Sequence, residues 1–166
     1  IVIANAGISV GTLTDEPEDR AVFARILAVN VQGVFDSFAP FLEAMKAVRR
    51  GTLVGIASVA GVRGLPGSGA YSASKAGVIG LTLPVARDLA PHGIRIVSIA
   101  PGLFDTAMVA GIPDNVSQSI VDRMILYPNR MGQPREFARL VQHIVENSYL
   151  NATTLDLDAG ARMQSR

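Results

Sequence analysis

Short aliphatic runs alternate along this chain with longer stretches of helical spacing. Residues 1–4, 52–57 and 94–100 are apolar at most positions, and residues 154–157 form a shorter run near the end. Such runs are typical of strands that are buried on both faces of a sheet. We therefore predict four strands, well separated along the chain.

Apolar residues with helical spacing fill the gaps between these runs. The predicted helices span residues 18–29, 33–49, 70–89, 116–126 and 135–146, and Pro134 stands where a helix start favours proline. Strands that alternate with helices predict an α/β fold, a doubly wound parallel sheet with right-handed crossovers. No repeat or linker divides residues 1–166, so a single domain is expected.

The composition supports a packed core and argues against several partners. Apolar residues make up 49% of the 166 positions and charged residues 17%, which excludes disorder as the main state. The net charge of +1 is spread without a basic stripe, so no nucleic-acid partner is expected. Cysteine is absent and the two histidines are isolated, so no disulfide or metal site is expected. No run of about 18 apolar residues occurs, which predicts no membrane span.

The first residues lie inside a strand pattern, with neither a Met nor a polar lead-in before them. Natural chains seldom begin within a core strand. We expect that an N-terminal part, with any targeting signal it carries, precedes this sequence in a longer polypeptide.

Ser58, Tyr71 and Lys75 are the strongest candidates for chemistry. Tyr71 and Lys75 are four residues apart in a predicted helix and share a face, and Ser58 follows a predicted strand. Ligands of parallel sheets bind outside the carboxyl ends of strands, so the three side chains are expected to meet in one crevice. A nearby ammonium lowers the pKa of a tyrosine, which can then exchange a proton with a substrate oxygen. Ser58 would hold that oxygen, and Asn30 would anchor a water behind Lys75.

Several motifs occur in a fixed order along the chain. They are Asn5-Ala6-Gly7, Asn30, Ser58, the Tyr-Ser-Ala-Ser-Lys run from Tyr71 to Lys75, and Pro101-Gly102-Leu103-Phe104-Asp105-Thr106. Together they resemble the short-chain dehydrogenase/reductase family over essentially the whole chain. The resemblance implies a Rossmann-like sheet and an NAD(P)-dependent oxidoreductase. Tyr71 would be its general acid/base, Lys75 would lower the pKa of Tyr71 and bind the nicotinamide ribose, and Asn30 would complete a proton relay.

The resemblance also assigns binding residues. Those implied for the cofactor are Asn5, Ala6, Gly7, Tyr71, Lys75, Pro101, Gly102, Leu103, Phe104 and Thr106. Ser58 and Tyr71 would bind the substrate. Members of the family hold the pyrophosphate with a Gly-rich strand-turn-helix region, which residues 1–166 lack. NAD is the expected cofactor, and NADP stays open because the residue that reads the ribose belongs to the missing region.

Residues 81–91, 100–104 and 157–163 are similar to a narrower branch of the family, the type II 3-hydroxyacyl-CoA dehydrogenases. This similarity implies a small-molecule substrate, 3-hydroxyacyl-CoA or 3-oxoacyl-CoA. It also implies a homodimer or homotetramer, and a cytoplasmic location is expected. Residues 51–69 look more like generic members of the family. A general alcohol/ketone reductase is therefore the alternative, together with an inactive fragment or binding module.

Two connecting segments have expected roles beside the crevice. The glycines at positions 61, 64, 67 and 69 stand between a strand and a helix, but no acidic residue follows them at the spacing of a dinucleotide site. We expect this loop to form a flexible wall of the substrate crevice rather than a phosphate cradle. The loosely patterned residues 104–127 are expected to form a mobile lid over the substrate.

Overall fold

A computed structural model describes residues 1–64, 67–107, 109 and 114–161. Its four strands are β1 (Val2–Ala4), β2 (Gly51–Ile56), β3 (Ile94–Pro101) and β4 (Thr153–Leu157). They form one parallel sheet in the order β1-β2-β3-β4, with Leu53 opposite Ile96 and Ile99 opposite Leu155. All four predicted strands are confirmed within one residue at each end.

Helices occupy the segments between the strands. They are α1 (Asp19–Leu27), α2 (Gly33–Ala47), α3 (Ala60–Arg63), α4 (Gly69–Leu89), α5 (Asp114–Met124) and α6 (Pro134–Glu146). The five predicted helices are confirmed. Three elements were not predicted: the four-residue helix α3, a π-helical segment, Ala28–Gln32, that joins α1 to α2, and a 3-10 turn, Ala90–His92, after α4.

Apolar side chains cover both faces of the sheet, as a buried parallel sheet requires. Leu53 and Ile96 pack with α2 and α4 on one face, whereas Val54 and Val97 pack with α6 on the other. All three crossovers move across the sheet in one direction, but the third places its helix on the opposite face and so has the opposite hand. The expectation of uniformly right-handed crossovers is therefore wrong for β3 to β4. The long segment 102–133 separates β3 from α6 and removes the constraint of a direct crossover.

The start of α6 explains why that helix begins at Pro134. Gln133 and Glu136 form a capping box, in which the Glu136 carboxylate accepts a hydrogen bond from the Gln133 backbone N–H at 2.7 Å. The same carboxylate pairs with both Nη atoms of Arg130. These hydrogen bonds lower the pKa of Glu136 to about 2. The helix start is thus specified by local residues.

One helical stretch, Asp19–Ala47, is long and apolar enough to cross a bilayer by length and composition, since it contains an 18-residue window with a mean hydropathy of 1.3. The expectation of no membrane span rested on the absence of an uninterrupted apolar run. In the structure this stretch packs on the sheet through Val34, Phe38 and Met45. Core helices of globular proteins pass the same test of length and composition.

Candidate active site

Ser58 lies directly beyond the carboxyl end of β2. The preceding residue, Ala57, still donates its N–H to the carbonyl of Ile99, so the chain leaves the sheet at Ser58. The Ser58 side chain is buried, and its Oγ accepts a hydrogen bond from the backbone N–H of Ala60 at 3.1 Å. Its hydroxyl also lies close to Tyr71 and lowers the pKa of that phenol. The predicted convergence of Ser58 and Tyr71 is therefore present.

Tyr71 and Lys75 lie one turn apart near the start of α4. Lys75 is buried, and its Nζ donates a hydrogen bond to the carbonyl of Ile56 at 2.8 Å. The same Nζ lies 5.6 Å from the centroid of the Tyr71 ring. Because Ile56 is the last residue of β2, this hydrogen bond fixes the start of α4 at the carboxyl edge of the sheet.

Burial controls the pKa values of this pair. Burial raises the pKa of Tyr71, and the hydrogen bond with Ser58 opposes that rise. Burial also lowers the pKa of Lys75 to about 8. The lowering of the Tyr71 pKa by Lys75 stays a prediction; in the structure the ammonium lies 5.6 Å from the ring centroid and donates to the Ile56 carbonyl. Ser58 favours the phenolate.

Asn30 is fully buried within the π-helical segment. Its Oδ1 accepts from the Ile8 N–H at 2.8 Å, and its Nδ2 donates to the Ile8 carbonyl at 2.8 Å and to Ser74 Oγ at 3.0 Å. Ser74 in turn donates to the carbonyl of Tyr71 at 2.7 Å. The amide of Asn30 thus ties the chain beyond β1 to the helix that carries Tyr71. Its predicted role beside a water stays a prediction.

Ser74 is a site residue that the sequence reasoning missed. It lies within the Tyr-Ser-Ala-Ser-Lys run, between the predicted site residues Tyr71 and Lys75. A serine three residues after Tyr71 in a helix can donate a hydrogen bond to the Tyr71 carbonyl. This spacing is the feature of the sequence that could have identified Ser74. Its partner Asn30 lies 44 residues away, and no local pattern reveals that contact.

The three residues after β1 border this cluster. A Cβ placed on Gly7 would lie 3.3 Å from Asn30 Oδ1 and 3.5 Å from Lys75 Nζ, so the backbone approaches both side chains closely. Asn5 and Ala6 are exposed beside it. An ammonium has three donors, and an open rim of backbone next to it suits the hydroxyls of a ribose. The chain's own residues here fit a nicotinamide nucleotide.

The Pro101–Thr106 segment follows β3 on the other side of Ser58. Gly102 donates its N–H to the Leu157 carbonyl at 3.0 Å, and a Cβ on Gly102 would lie 2.9 Å from Asp158. Leu103 is half-buried and Thr106 is exposed. Their cofactor contacts stay predictions.

Phe104 is held by a different contact. Its ring packs edge-on against Phe137 of α6, with 5.9 Å between the ring centroids, and a Cβ on Gly132 would meet it. The ring therefore anchors the segment to α6. Only the remaining surface of Phe104 is left for the predicted cofactor contact.

One of the two connecting segments, the glycine-containing loop, differs from expectation. Residues 60–63 of the glycine-containing loop form α3, and Gly61 packs so closely on α4 that a Cβ would lie 2.7 Å from the backbone of Lys75. This part of the wall is a packed helix rather than a flexible loop. In the lid segment, α5 buries Val121, and a cavity of about 230 Å³ lies beside Ile125 and Leu103. Residues 108 and 110–113 of the expected lid, and residues 162–163 of the branch motif, lie outside the described residues.

Metal ligands are not grouped in the part of the chain that the structure describes. Across residues 1–64, 67–107, 109 and 114–161, no three His, Cys, Asp or Glu side chains are placed to hold an ion. The chemistry that these residues offer is proton transfer and hydrogen bonding.

The chain is similar to known proteins in sequence and in structure. A family model described as short chain dehydrogenase matches residues 1–117. The chain is 40% identical to the 3-hydroxyacyl-CoA dehydrogenase type-2 of Bos taurus, with 99% of this chain and 67% of the relative aligned. It is 33% identical to a 3-oxoacyl-(acyl-carrier-protein) reductase of Thermotoga maritima, with 96% of this chain and 65% of that protein aligned.

A solved structure agrees with the fold. The crystal structure of the 3-hydroxyacyl-CoA dehydrogenase type-2 from Mycobacterium avium superposes with a TM-score of 0.90 at 30% identity, over 99% of this chain and 67% of that one. The predicted Rossmann-like, doubly wound sheet is thereby confirmed. With Ser58, Tyr71 and Lys75 gathered at the carboxyl edge of that sheet, this chain belongs to the short-chain dehydrogenase/reductase family, whose members are oxidoreductases that use a nicotinamide cofactor.

Proposed function

We propose that this protein interconverts 3-hydroxyacyl-CoA and 3-oxoacyl-CoA with NAD as the cofactor. The observation that carries the reaction type is the contact between Ser58 and Tyr71, with buried Lys75 one turn away. The substrate class is supported by the relative at 40% identity, which aligns with 99% of the chain. Alcohol–ketone chemistry next to an acyl thioester is the simplest function that fits both.

The residues divide the proton chemistry among them. In reduction of the ketone, the Tyr71 hydroxyl donates its proton to the carbonyl oxygen, and in oxidation the phenolate accepts it. Ser58 hydrogen-bonds the same oxygen and favours the phenolate. Lys75 and the rim at Asn5, Ala6 and Gly7 would hold the nicotinamide nucleotide. When bound, the nicotinamide supplies or accepts the hydride.

The preference for NAD over NADP rests on the resemblance of residues 81–91, 100–104 and 157–163 to the type II 3-hydroxyacyl-CoA dehydrogenases, and on no residue of the described site. A competition assay separates the two cofactors. Equal concentrations of NADH and NADPH should give faster turnover with NADH, and a preference for NADPH would overturn this part of the proposal.

The substrate is tested by following nicotinamide absorbance in the polypeptide as its source organism makes it. Parallel reactions contain acetoacetyl-CoA, the same acyl group on acyl-carrier protein, and a simple ketone without a thioester. Acetoacetyl-CoA should give the highest kcat/KM, and Tyr71→Phe should remove turnover in every reaction. A higher kcat/KM with the carrier protein would assign the other thioester. Equal activity on the simple ketone would favour the general alcohol/ketone reductase, and silence in all reactions would favour a binding module.

We infer further that the protein assembles as a homodimer or homotetramer through α4. Ala73, Ala76 and Gly80 are exposed on this helix, and a Cβ on Gly80 would meet nothing within 4 Å. Small exposed residues let a second helix approach closely. Light scattering after size-exclusion chromatography should show a multiple of the chain mass that Gly80→Arg reduces to one chain. A single-chain mass for the unaltered protein would contradict the inference.

A cytoplasmic location is also proposed. Its support is the absence of cysteine from the sequence, which suits a reducing compartment. Fractionation of the source cells, followed by immunodetection, should find the protein in the cytoplasmic fraction. Recovery with membranes or with an organelle would contradict this proposal.

A further inference from the structure

Arg63 reaches across the carboxyl edge of the sheet. It is the last residue of α3, and its Nη1 donates to Asp158 Oδ2 at 2.7 Å and to the carbonyl of Ala161. Asp156 lies 3.9 Å from its Nη2. The Arg63 and Asp158 side chains are 22% and 10% exposed, and 95 residues separate them. A partly buried pair over such a separation joins two parts of the fold, unlike an exposed local pair.

The arginine end of this pair is connected to Ser58 through the backbone of α3. Ser58 Oγ accepts from the Ala60 N–H, and the Arg63 N–H donates to the carbonyl of Val59 at 2.9 Å. One turn of helix therefore lies between the guanidinium and the hydroxyl. Four residues cannot hold a helix by themselves, so α3 depends on contacts from outside.

The aspartate end is connected to the segment after β3. Gly102 lies against Asp158 so closely that a Cβ would be 2.9 Å from the Asp158 Cα. The Pro101 carbonyl accepts a hydrogen bond from the Val59 N–H at 3.1 Å. Val59 follows Ser58 in the sequence, so the segment after β3 also contacts the neighbour of Ser58. Arg63, Asp158, the Pro101–Gly102 backbone and Val59 therefore form a continuous series of contacts.

We propose that Arg63 is a positioning residue, which through Asp158 holds α3 and thereby keeps the Ser58 hydroxyl against Tyr71. The proposal rests on the acid/base function proposed for Tyr71. Arg63 itself does not touch the reacting atoms. Losing its anchor lets α3 and Ser58 move from the phenol, so the phenolate is less well stabilised.

Direct titration of Tyr71 tests this without substrate or cofactor. The chain has three tyrosines and no tryptophan, and Tyr127 and Tyr149 are 86% and 97% exposed. In the Tyr127→Phe/Tyr149→Phe background, ultraviolet absorbance of the ionised phenol reports Tyr71 alone. Lys75, the charged group that the described residues place beside the ring, is unchanged in every variant. Circular dichroism on the same samples monitors folding throughout the titration.

In this background Ser58→Ala should raise the pKa of Tyr71 by about 0.5 to 1 unit, the effect of one lost hydrogen bond. Arg63→Met should also raise the pKa of Tyr71. The double variant Ser58→Ala/Arg63→Met should raise this pKa little more than Ser58→Ala alone. Asp158→Asn should act like Arg63→Met, and Arg63→Lys should restore part of the shift. If Arg63→Met fails to fold, Asp158→Asn carries the same comparison.

The matched control is Arg130→Met, which removes the arginine of an exposed local pair with Glu136. It should leave the titration of Tyr71 unchanged. Folded Arg63→Met and Asp158→Asn proteins that keep the parental pKa of Tyr71, or shifts that add fully to that of Ser58→Ala, would overturn the proposal. The variants of Ser58, Arg63 and Asp158 could shift the pKa of Tyr71 as expected in a protein that fails to reduce acyl thioesters. That outcome would refute the substrate assignment and leave the positioning role of Arg63 intact.

Discussion

The two halves of α4 use the same face of one helix in different ways. The first half presents Tyr71, Ser74 and Lys75 to the crevice, and the second half presents Val78 and Leu89 to the apolar core. Ser74 and Lys75 are as buried as their apolar counterparts. The difference lies in their partners, since both hydrogen-bond to backbone carbonyls. Buried polar groups cost little stability when they are satisfied in this way.

The first half of α4 therefore carries the candidate catalytic side chains, and the second half carries apolar side chains that stabilise the fold. Apolar packing in the second half holds α4 on the sheet and needs no precise atom positions. The first half needs such positions, because proton transfer requires hydrogen-bond distances. A helix that is anchored at one end can therefore carry a reactive tyrosine at the other.

The largest expected effect comes from Tyr71→Phe. Removing the hydroxyl deletes the proton donor and acceptor, so kcat should fall by about 10³-fold. The free energy of unfolding should change little, because the ring and its packing remain. Steady-state rates and denaturant unfolding measure the two quantities. Tyr127→Phe, which removes an exposed hydroxyl, is the control and should keep full activity.

Leu89→Ala probes the second half of the helix. Leu89 is 7% exposed within the core of α2, α4 and the sheet, so truncation should lower the free energy of unfolding by about 3 kcal/mol. Activity per folded molecule should stay near that of the parent. Leu83→Ala on the same helix, where the side chain is 45% exposed, should cost far less. Equal losses from the two substitutions would erase the contrast between the halves.

The sequence predicts the apolar half of this contrast better than the polar half. Helical spacing and buried runs were enough to place α4, the four strands and the α/β class. The spacing of apolar residues along the chain indicates which side chains are buried. The spacing of Tyr71 and Lys75 also identified the reactive face. The hydrogen bond from the Lys75 ammonium to the Ile56 carbonyl was not predicted, because it joins α4 to the end of β2.

Contacts between distant segments account for the other features that were missed. The π-helical segment around Asn30 depends on Ile8 and Ser74, which come from the chain beyond β1 and from α4. Helix α3 contacts Asp158, near the far end of the chain, through Arg63. Local propensity contains no signal for either, since a π-helical turn and a four-residue helix are not stable alone.

Lys75→Met should change how stability depends on pH. Burial lowers the pKa of Lys75 to about 8 in the folded state, below its ordinary value of 10.5. Below pH 8 both states are protonated, and the folded state carries the full cost of a buried charge. Between pH 8 and 10 the folded protein loses the proton first, so its stability relative to Lys75→Met should rise by about 2 kcal/mol. Denaturant unfolding at pH 7 and 10 measures this.

The other lysine of the chain provides the matched control. Lys46 is partly exposed on α2 and pairs with Glu43 at the surface. The stability of Lys46→Met relative to the parent should hardly vary over the same pH range, because solvent screens that ammonium. If the two lysine variants show the same pH dependence, the buried ammonium does not set the stability of the first half of α4.

Thr82→Val is the smallest change, and it tests whether a polar contact also matters in the apolar half. Thr82 Oγ1 is hydrogen-bonded to Ser98 Oγ of β3, and both side chains are buried. Valine keeps the shape of threonine but leaves the Ser98 hydroxyl without that partner, so unfolding should become easier by about 1 kcal/mol. Thr82→Ser keeps the hydroxyl and loses a methyl group. If Thr82→Val proved as stable as the parent, the second half of α4 would be held by apolar packing alone, and the contrast with the hydrogen-bonded first half would be sharper.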